Sequence, residues 1–201
     1  MERINILEGI KLNFNYRKKD YQVNDIVLNE GDTVTEVGIV LSGELLIKTS
    51  TLDGFEFEII KLFKGDIFAD ALVFSKNNTM PGFIKACKES SIIFIKKEIF
   101  FFLLNNNQGF LTNYLKYNAL RNIRHQYRIK LLGQPSIREK ILFFLKEEMR
   151  GHFDKKISLS MNIEELAHFM SLERTSLSRE LSRMKKDGII DYDKKSITLL
   201  E

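Results

Sequence analysis

The 201-residue sequence contains no tryptophan, one cysteine, two prolines and three histidines. Cys87 alone can form no internal disulfide, and it cannot supply the four thiolates that iron–sulfur clusters usually need. The three histidines lie on separate segments, so they do not form a set of metal ligands. Among them only His125 is a candidate for a haem ligand, and it is a weak one. The sequence therefore predicts no metal and no cofactor, in a reducing, cytoplasmic setting.

Long apolar runs and recognisable catalytic motifs are missing as well. The longest strongly apolar run, 99–104, is far too short to cross a bilayer, and the N-terminal residues do not show the pattern of an export signal. The sequence has no phosphate-binding glycine loop, no dinucleotide fingerprint and no Ser/His/Asp arrangement. We therefore expect a cytoplasmic protein that is neither an enzyme nor bound to a membrane.

Regularly spaced glycines mark the first half of the chain. They recur at intervals of 11 or 12 residues, and apolar residues alternate with polar ones between them. Such spacing is typical of turns that join short antiparallel strands, so we expect an antiparallel β-roll. Two further strands, at 83–86 and 91–95, are predicted to pair with each other. The glycines are Gly31, Gly43, Gly54 and Gly65.

A long helix is predicted from Gln108 to Leu132. Within it, seven residues recur at alternating steps of three and four, which is the spacing of a two-stranded coiled-coil seam. We interpret this segment as a dimerisation helix; the alternative is a helix that packs only on its own chain. Gly133 and Pro135 are expected to end it. The predicted seam consists of Phe110, Asn113, Tyr117, Leu120, Arg124, Tyr127 and Leu131.

Two shorter helices joined by a tight turn are predicted between Asn162 and Gly188. Asn162 is placed to cap the first helix, and Glu165, three residues later, is placed to bond back to it. In the second helix three apolar residues at i, i+4 and i+7 predict one buried face, and Gly188 is expected to stop the helix. The predicted buried face is Leu177, Leu181 and Met184.

The opposite face of this second helix is polar and basic. Between Arg174 and Lys186 there are five basic residues against one acid, Glu180, although the net charge of the chain is only +4. This concentration predicts a local positive field suited to nucleic acid. Taken alone, the motif is also explained by a helical pair that only packs. The predicted DNA-binding residues are Arg174, Thr175, Ser176, Ser178, Arg179, Arg183, Lys185 and Lys186.

This helical pair resembles the winged helix-turn-helix of the CRP/FNR family of bacterial transcription regulators. Three places depart from the family pattern: Ser171 stands where the turn usually has Gly, Glu173 where Ser usually caps, and Thr175-Ser176 where Glu-Thr is usual. The residues that carry the resemblance are Leu166, Ala167, Leu172, Arg174, Thr175, Ser176, Leu177, Ser178, Arg179, Leu181, Met184, Gly188, Ile189 and Ile190.

The strand region resembles the cyclic-nucleotide-binding β-roll of the same family. The segments that carry this resemblance are Asn29–Asp32, Ser42–Leu45 and Lys64–Phe68. The two resemblances occur in the family's order and together span roughly residues 16–200, which argues against a chance helical pair.

The resemblance implies an α+β chain with an N-terminal antiparallel β-roll, a long dimerisation helix and a C-terminal winged helix-turn-helix. We expect a sensor roll over 1–107, the dimerisation helix over 108–132 and a DNA-binding domain over 133–201. The implied function is a homodimeric transcription regulator that binds double-stranded DNA, contacts RNA polymerase and responds to a small effector. The alternative is a sensor or scaffold whose helix-turn-helix mediates protein–protein interaction.

The positions that bind nucleotide in the family are altered in this chain. Ala69-Asp70 stands in place of the Gly-Glu that takes the ribose hydroxyl, and Met80-Pro81 in place of the Arg-Ser or Arg-Thr that binds the cyclic phosphate. Without that cation a phosphate would be desolvated uncompensated, so we predict that cyclic AMP and cyclic GMP are not the effectors. We expect an apolar pocket, with Arg121 or Arg124 reaching an anionic effector from the helix side. The predicted pocket comprises Phe68, Ala69, Asp70, Leu72, Met80, Phe83, Arg121 and Arg124.

The resemblance also implies how bases are read. The family's arginines at the positions of Arg174 and Arg179 point into the major groove, and the Glu that Thr175 replaces accepts a hydrogen bond from cytosine. Threonine offers only a hydroxyl and a methyl group that suits thymine. We expect two half-sites about one helical turn apart, guanine opposite Arg179, and a cytosine preference at the Thr175 position that is relaxed or moved toward A·T.

Overall fold

A computed structural model of the protein describes residues 4–50, 56–150, 156–159, 161–193 and 196–200. The chain divides into two compact units, residues 1–121 and 122–201. The observed division falls inside the long predicted helix. The proposed domain limits at residues 107 and 132 stay a prediction about which parts fold independently.

The first unit is built on two antiparallel sheets of four strands each. Its strands are β1 (Arg17–Tyr21), β2 (Ile26–Leu28), β3 (Glu36–Ser42), β4 (Glu44–Ser50), β5 (Glu56–Phe63), β6 (Ile67–Phe68), β7 (Phe83–Ala86) and β8 (Ser90–Lys96). The strand orders are β1-β8-β3-β6 and β2-β7-β4-β5, so both sheets combine strands from distant parts of the chain. This is the predicted α+β roll.

Three of the four predicted turn glycines adopt backbone angles that favour glycine. Gly31, Gly43 and Gly65 have φ of +85°, +90° and +88°, while Gly54 lies outside the described residues. At Gly43 space is also restricted, because an added Cβ would lie 2.4 Å from the carbonyl oxygen of Glu89. At these three positions the structure therefore confirms the turns that the glycine spacing predicts.

The predicted pairing of 83–86 with 91–95 is wrong. Both segments are strands, but β7 pairs with β2 and β4, whereas β8 pairs with β1 and β3. The backbone N–H of Cys87, between them, donates to the carbonyl oxygen of Glu44 at 2.8 Å as the chain leaves β7. The connection thus passes from one sheet to the other, which alternation within each strand cannot reveal.

The two sheets enclose an apolar core, and Phe68 is one of its central residues. An added Cβ at Gly38 would lie 2.0 Å from the ring of Phe68, so the small residue makes room for the aromatic one. The Phe68 ring also meets Phe94 edge to face, with centroids 6.1 Å apart. The fully enclosed side chains include Ile39, Leu45, Ile67, Ile84, Ile92, Ile93, Ile95, Phe100 and Phe110.

The first unit also contains two helices and the first half of a third; one lies between β6 and β7, and the other two follow β8. They are α1 (Asp70–Phe74), α2 (Lys97–Asn106) and α3 (Gln108–Leu132), and α3 has the limits predicted for it. Its first half packs on the roll, since Phe110 and Tyr117 are buried in the core of the first unit. None of the helices in the described ranges is long and apolar enough to cross a membrane.

The second unit contains the end of α3, three further helices and a three-stranded sheet of order β10-β11-β9. Its other elements are α4 (Ile137–Glu148), β9 (Lys156–Ser158), α5 (Ile163–Phe169), α6 (Arg174–Lys186), β10 (Ile190–Tyr192) and β11 (Ser196–Leu199). The helices and sheet bury one apolar cluster that includes Leu131, Ile141, Leu145, Leu166, Met170, Leu177, Leu181, Met184, Ile190 and Ile197. Two helices joined by a turn, followed by a hairpin, form the predicted winged helix-turn-helix.

Candidate nucleic-acid interface

Local sequence signals define both ends of the helix-turn-helix. The Asn162 side chain accepts from the Glu165 N–H at 2.9 Å, and the Glu165 carboxylate accepts from the Asn162 N–H at 3.0 Å, which confirms the predicted capping box. Ser171, in the turn, has φ of +52°, and Gly188, after α6, has φ of +74°. The left-handed conformation at Ser171 gives the physical reason why glycine is common there.

The predicted buried face of α6 is confirmed. Leu177, Leu181 and Met184 are at most 1% exposed and anchor the helix on the second core. The opposite face is directed outward and carries a shallow depression of about 360 Å³. The residues that line it are Ser178, Arg179, Ser182, Arg183 and Lys186. All five lining residues lie on one face of α6, so the depression is a shallow feature of an open helix face.

The cations of this face differ in how they are paired. In the ranges that the structure describes, Arg174, Arg179 and Lys186 form no ion pair, and all three are exposed. Arg183 lies 3.6 Å from Glu180 and is 71% exposed, so water screens that contact. Thr175 is exposed and Ser176 half-buried at the start of the same helix. Most of the predicted reading face is therefore available to a partner.

Lys185 is held by the wing instead. Its Nζ lies 2.5 Å from Asp191 Oδ1 on β10 and 5.6 Å from the centroid of the Tyr192 ring. The hydrogen bond that Lys185 donates to Asp191 raises the pKa of Lys185, and the same contact lowers the pKa of Asp191. One helical turn earlier, the hydroxyls of Ser182 and Tyr192 are 3.1 Å apart. These contacts join α6 to the wing strand, and sequence analysis missed them.

Arg138 on α4 also fixes α6, and it too escaped the sequence analysis. Its Nε donates to Glu180 Oε1 at 2.7 Å, and its Nη2 lies 2.7 Å from Asp187 Oδ2. The two acceptors are seven residues apart, so one guanidinium spans two turns of α6. The single acid among the basic residues of α6 therefore serves to orient the helix rather than to oppose DNA. The sequence shows Glu180 as the one acid among these basic residues, but only the fold shows that it pairs with Arg138.

The predicted effector pocket contains a buried ion pair. Arg121 Nη1 donates to Asp70 Oδ1 at 2.9 Å, and Arg121 Nη2 donates to Asp70 Oδ2 at 2.8 Å. The Tyr114 hydroxyl adds a third hydrogen bond to Asp70 Oδ2 at 3.1 Å. The Asp70 side chain is 2% exposed and that of Arg121 is 25% exposed. The pair joins α1 to α3 within the first unit.

The ion pair shifts the neighbouring pKa values. Burial raises the pKa of Tyr114 to about 12, and the charge and hydrogen bond of Asp70 act in the same direction. Burial is the largest single effect on Arg121 and opposes its charged form, but the hydrogen bond to Asp70 and the charge of Asp70, with smaller contributions from Tyr117 and Tyr114, together raise the pKa of the guanidinium. Both groups therefore keep their protons over the ordinary pH range, which preserves all three hydrogen bonds to the carboxylate.

The other predicted pocket residues are all buried or half-buried. Phe68 and Met80 are 3% and 5% exposed and belong to the roll core, so they fill its apolar interior, and the effector pocket stays a prediction. Ala69 precedes α1 with φ of +65°, and Leu72 packs on the same core. Phe83 and Arg124 are half-buried. Arg121 points toward the roll, as the prediction of an anionic effector bound from the helix side requires. Its charge, however, is already paired with that of Asp70.

The predicted seam of α3 faces its own chain at three positions. Phe110 and Leu131 are 0% exposed and Tyr117 is 8% exposed, so these side chains are not available to a partner. Tyr127 packs within the second unit, with its ring centroid 5.6 Å from that of Phe143. The Asn113 amide donates to the carbonyl oxygen of Glu8 at 3.0 Å. The remaining seam residues, Leu120 and Arg124, are half-buried.

The opposite side of α3 carries a second row with the same spacing. Its residues are separated by 4, 3, 4 and 3 positions, and all five are exposed. Leu115 and Ile129, at its two ends, are 59% and 71% exposed, which is unusual for large apolar side chains. The row consists of Leu115, Ala119, Asn122, Gln126 and Ile129. This row lies on a side of α3 that its own chain leaves uncovered.

Two family models match the chain in the order that the fold shows. Residues 18–107 match the cyclic nucleotide-binding domain, and residues 139–201 match the Crp-like helix-turn-helix domain. Together they account for the roll and for the helix-turn-helix with its wing. The chain belongs to the CRP/FNR family of transcription regulators.

Curated CRP/FNR relatives support this assignment along nearly the whole chain. An anaerobic regulatory protein of Pasteurella multocida is 27% identical over 197 residues, covering 91% of this chain and 68% of its own length. The regulatory protein HlyX of Actinobacillus pleuropneumoniae is 26% identical over 194 residues, with 91% and 78% covered. Both relatives are regulators, which agrees with the sequence resemblance.

Solved structures confirm the fold. A structure of CprK complexed with OCPA has a TM-score of 0.76 at 13% identity, covering 98% of this chain and 92% of that chain. A CooA mutant from Carboxydothermus hydrogenoformans has a TM-score of 0.71 at 21% identity, covering 99% and 94%. At these identities the likeness shows that the CRP/FNR fold is shared, not that the ligands are.

Proposed function

We propose that the chain is a dimeric, sequence-specific DNA-binding transcription regulator. The observation that carries this proposal is the outward face of α6, where Arg174, Arg179 and Lys186 are exposed and make no ion pair within the described residues. Exposed cations on one helix face attract phosphate, and arginine can pair bidentately with guanine in the major groove. A helix that served only to pack would not need such a face.

The way α6 is held supports the same proposal. Its buried face packs in the second core. Arg138 forms ion pairs with Glu180 and Asp187, and Asp191 of the wing forms one with Lys185. A reading helix must be held rigidly, because base contacts require donors and acceptors at fixed positions. These three attachments leave Arg174, Thr175 and Arg179, in the first half of α6, directed outward.

We infer that the exposed row of α3 joins two copies of the chain. Two such rows would bury the apolar ends at Leu115 and Ile129 against each other, with Ala119 allowing close approach. Asn122 and Gln126 would lie in the middle of the seam, where polar residues fix register and number of strands. A dimer presents two reading helices, and two half-sites about one helical turn apart follow from it.

We further propose that the effector is neither cyclic AMP nor cyclic GMP. Met80, which stands where the family's phosphate-binding arginine would be, is 5% exposed in the core, and Asp70, which stands in place of the family's glutamate, is already paired with Arg121. Calorimetry with both nucleotides tests this directly, and micromolar affinity for either would contradict it. We also propose that the protein contacts RNA polymerase and is located in the cytoplasm, because a bacterial transcription regulator acts there.

The DNA-binding proposal is tested by gel shift with random genomic fragments at two salt concentrations. Neutralising several phosphates releases counterions, so we expect binding to weaken steeply as salt rises. The matched control is a variant with Arg174, Arg179 and Lys186 replaced by Ala, which keeps the buried face of α6 intact. If the wild-type protein shows no salt-dependent DNA binding and instead binds another protein, the alternative function, a sensor or scaffold, is favoured.

A further inference from the structure

We propose that Arg121 and Tyr114 form an anion-binding site which the chain's own Asp70 carboxylate occupies. The internal carboxylate holds α3 on the roll without a ligand, and its removal opens a site for a small carboxylate such as formate. This proposal concerns the first unit alone and is independent of DNA binding. It names both the ligand class and the residue that excludes that class from the wild-type protein.

The geometry around Asp70 is that of a receptor for a carboxylate. Two parallel N–H groups of Arg121 reach the two oxygens at 2.9 and 2.8 Å, which is the bidentate arrangement that suits a planar anion. The Tyr114 hydroxyl donates to one of the same oxygens at 3.1 Å. Asn118 accepts a hydrogen bond from Arg121 Nη2 and so orients the guanidinium. All three supporting side chains come from successive turns of α3.

The carboxylate itself comes from another element. Asp70 is the first residue of α1 and is 2% exposed, so its charge depends on Arg121 for compensation. An external anion at this place would have to displace Asp70 and leave it buried without a partner. We therefore expect anionic effectors to be excluded from this site in the wild-type protein.

Replacing Asp70 with Ala removes a carboxylate about the size of formate and keeps the receptor. The melting temperature in chloride should fall by roughly 10 °C, because Arg121 loses its partner in a largely enclosed place. Formate at the same ionic strength should restore at least half of that loss, with a saturable dependence on concentration. The wild-type protein should melt at the same temperature in formate and in chloride.

Two matched variants separate a specific site from a general salt effect. In Asp70→Asn the amide still fills the space, so we expect the same loss of melting temperature and no recovery in formate. In the double variant Asp70→Ala with Arg121→Gln the receptor is removed, so formate should again have no effect. A formate response of Asp70→Ala that is no larger than that of the double variant or of the wild type would overturn the proposal.

Asp70→Ala has a second readout in case it does not fold in chloride. The denatured variant is refolded in formate and in chloride, and the folded fraction is measured by circular dichroism. A larger folded fraction in formate than in chloride, absent from the double variant with Arg121→Gln, supports the site. Failure to fold in both salts overturns it, because formate would then not substitute for the Asp70 carboxylate.

Discussion

Two arginines, Arg121 on α3 and Arg179 on α6, show opposite uses of the same side chain. The side chain of Arg121 is 25% exposed and meets a buried carboxylate through two hydrogen bonds. Arg179 is exposed on an open helix face and pairs with no described acid. The charge of Arg121 is therefore neutralised within the fold, whereas the charge of Arg179 remains available for an external anion. The surroundings, not the residue type, decide which role an arginine has.

The comparison extends to the two units that carry these arginines. In the roll, Asp70 is buried and bonded to Arg121, and Met80 is buried in the apolar core. In the second unit, three exposed cations of α6 make no ion pair within the described part of the chain. The charge of Asp70 is therefore compensated within the roll, whereas these three cations of α6 are not paired with any described acid.

The strongest test of the comparison is Arg121→Met, which leaves the Asp70 carboxylate buried without a partner. We expect the free energy of unfolding to fall by about 3–5 kcal/mol, as for other broken buried ion pairs. Lys116→Met, on an exposed position of the same helix, should change it by no more than about 0.5 kcal/mol. Urea denaturation measures both, and equal small losses would show that the pair is not important to the roll.

The exposed row of α3 gives the next largest effect. Replacing Leu115 and Ile129 with Glu removes two apolar side chains from the proposed seam and places like charges across it. Since burying one such side chain stabilises by about 1.5–3 kcal/mol, the dissociation constant of the dimer should rise at least roughly 100-fold. Sedimentation velocity over a range of concentrations measures the change.

The control for the seam is Lys116→Glu, one position beyond Leu115 and outside the row. It should leave the dimer unchanged. Tyr127→Glu should instead destabilise the second unit, because that ring packs on Phe143 and Phe169. If Leu115→Glu with Ile129→Glu stays dimeric at the wild-type concentration, the exposed row does not join two copies.

Arg179→Ala tests the exposed side of the comparison. We expect a loss of about 1–3 kcal/mol at one base pair and no remaining selectivity there, because a bidentate contact to guanine would be removed. Binding to duplexes that differ only at that base pair should become equal. Unchanged discrimination by Arg179→Ala would show that this arginine contacts phosphate or solvent instead of a base.

Thr175 is expected to have a smaller and qualitative effect. Thr175→Glu restores a carboxylate that can accept a hydrogen bond from cytosine, so the variant should select cytosine where the wild type is relaxed or prefers A·T. Parallel selections from a randomised duplex pool compare the two proteins. Selection of the same half-site by both would mean that Thr175 does not read a base.

The smallest predicted effects distinguish Lys186 from Lys185. Lys186→Ala should reduce the salt dependence of DNA binding by about one counterion, for all sequences alike. Lys185→Ala should change it less, because Lys185 must first leave Asp191. With Asp191→Asn in the background, Lys185→Ala should have the full effect. Equal slopes for both single variants would mean that the ion pair to the wing opens without cost.

Sequence analysis succeeded where the signals are local. The limits of α3, the capping box at Asn162, the buried face of α6 and the stop at Gly188 all depend on residues within a few positions of one another. Such interactions form largely independently of the remaining chain, and their spacing is fixed by helix geometry. Family resemblance added the roll and the winged helix-turn-helix, and the matched families agree with both.

The seam of α3 shows where a periodic pattern is not sufficient. A straight helix carries rows with the same 3–4 spacing on opposite sides, and the sequence contains one through Phe110 and another through Leu115. The strict spacing of the first row predicts a dimer seam, but two cores of the chain itself cover Phe110, Tyr117 and Leu131. Only packing shows which row remains exposed.

The sequence by itself determined which segments become helices and strands and which face of α6 is buried. The tertiary structure decided which groups meet. It brought Asp70 to Arg121 across 51 positions, placed β7 and β8 in different sheets, and joined Lys185 to the wing. The physical reason is that periodicity and capping act between near neighbours, whereas charge pairing and strand pairing depend on distances in space that only the folded chain sets.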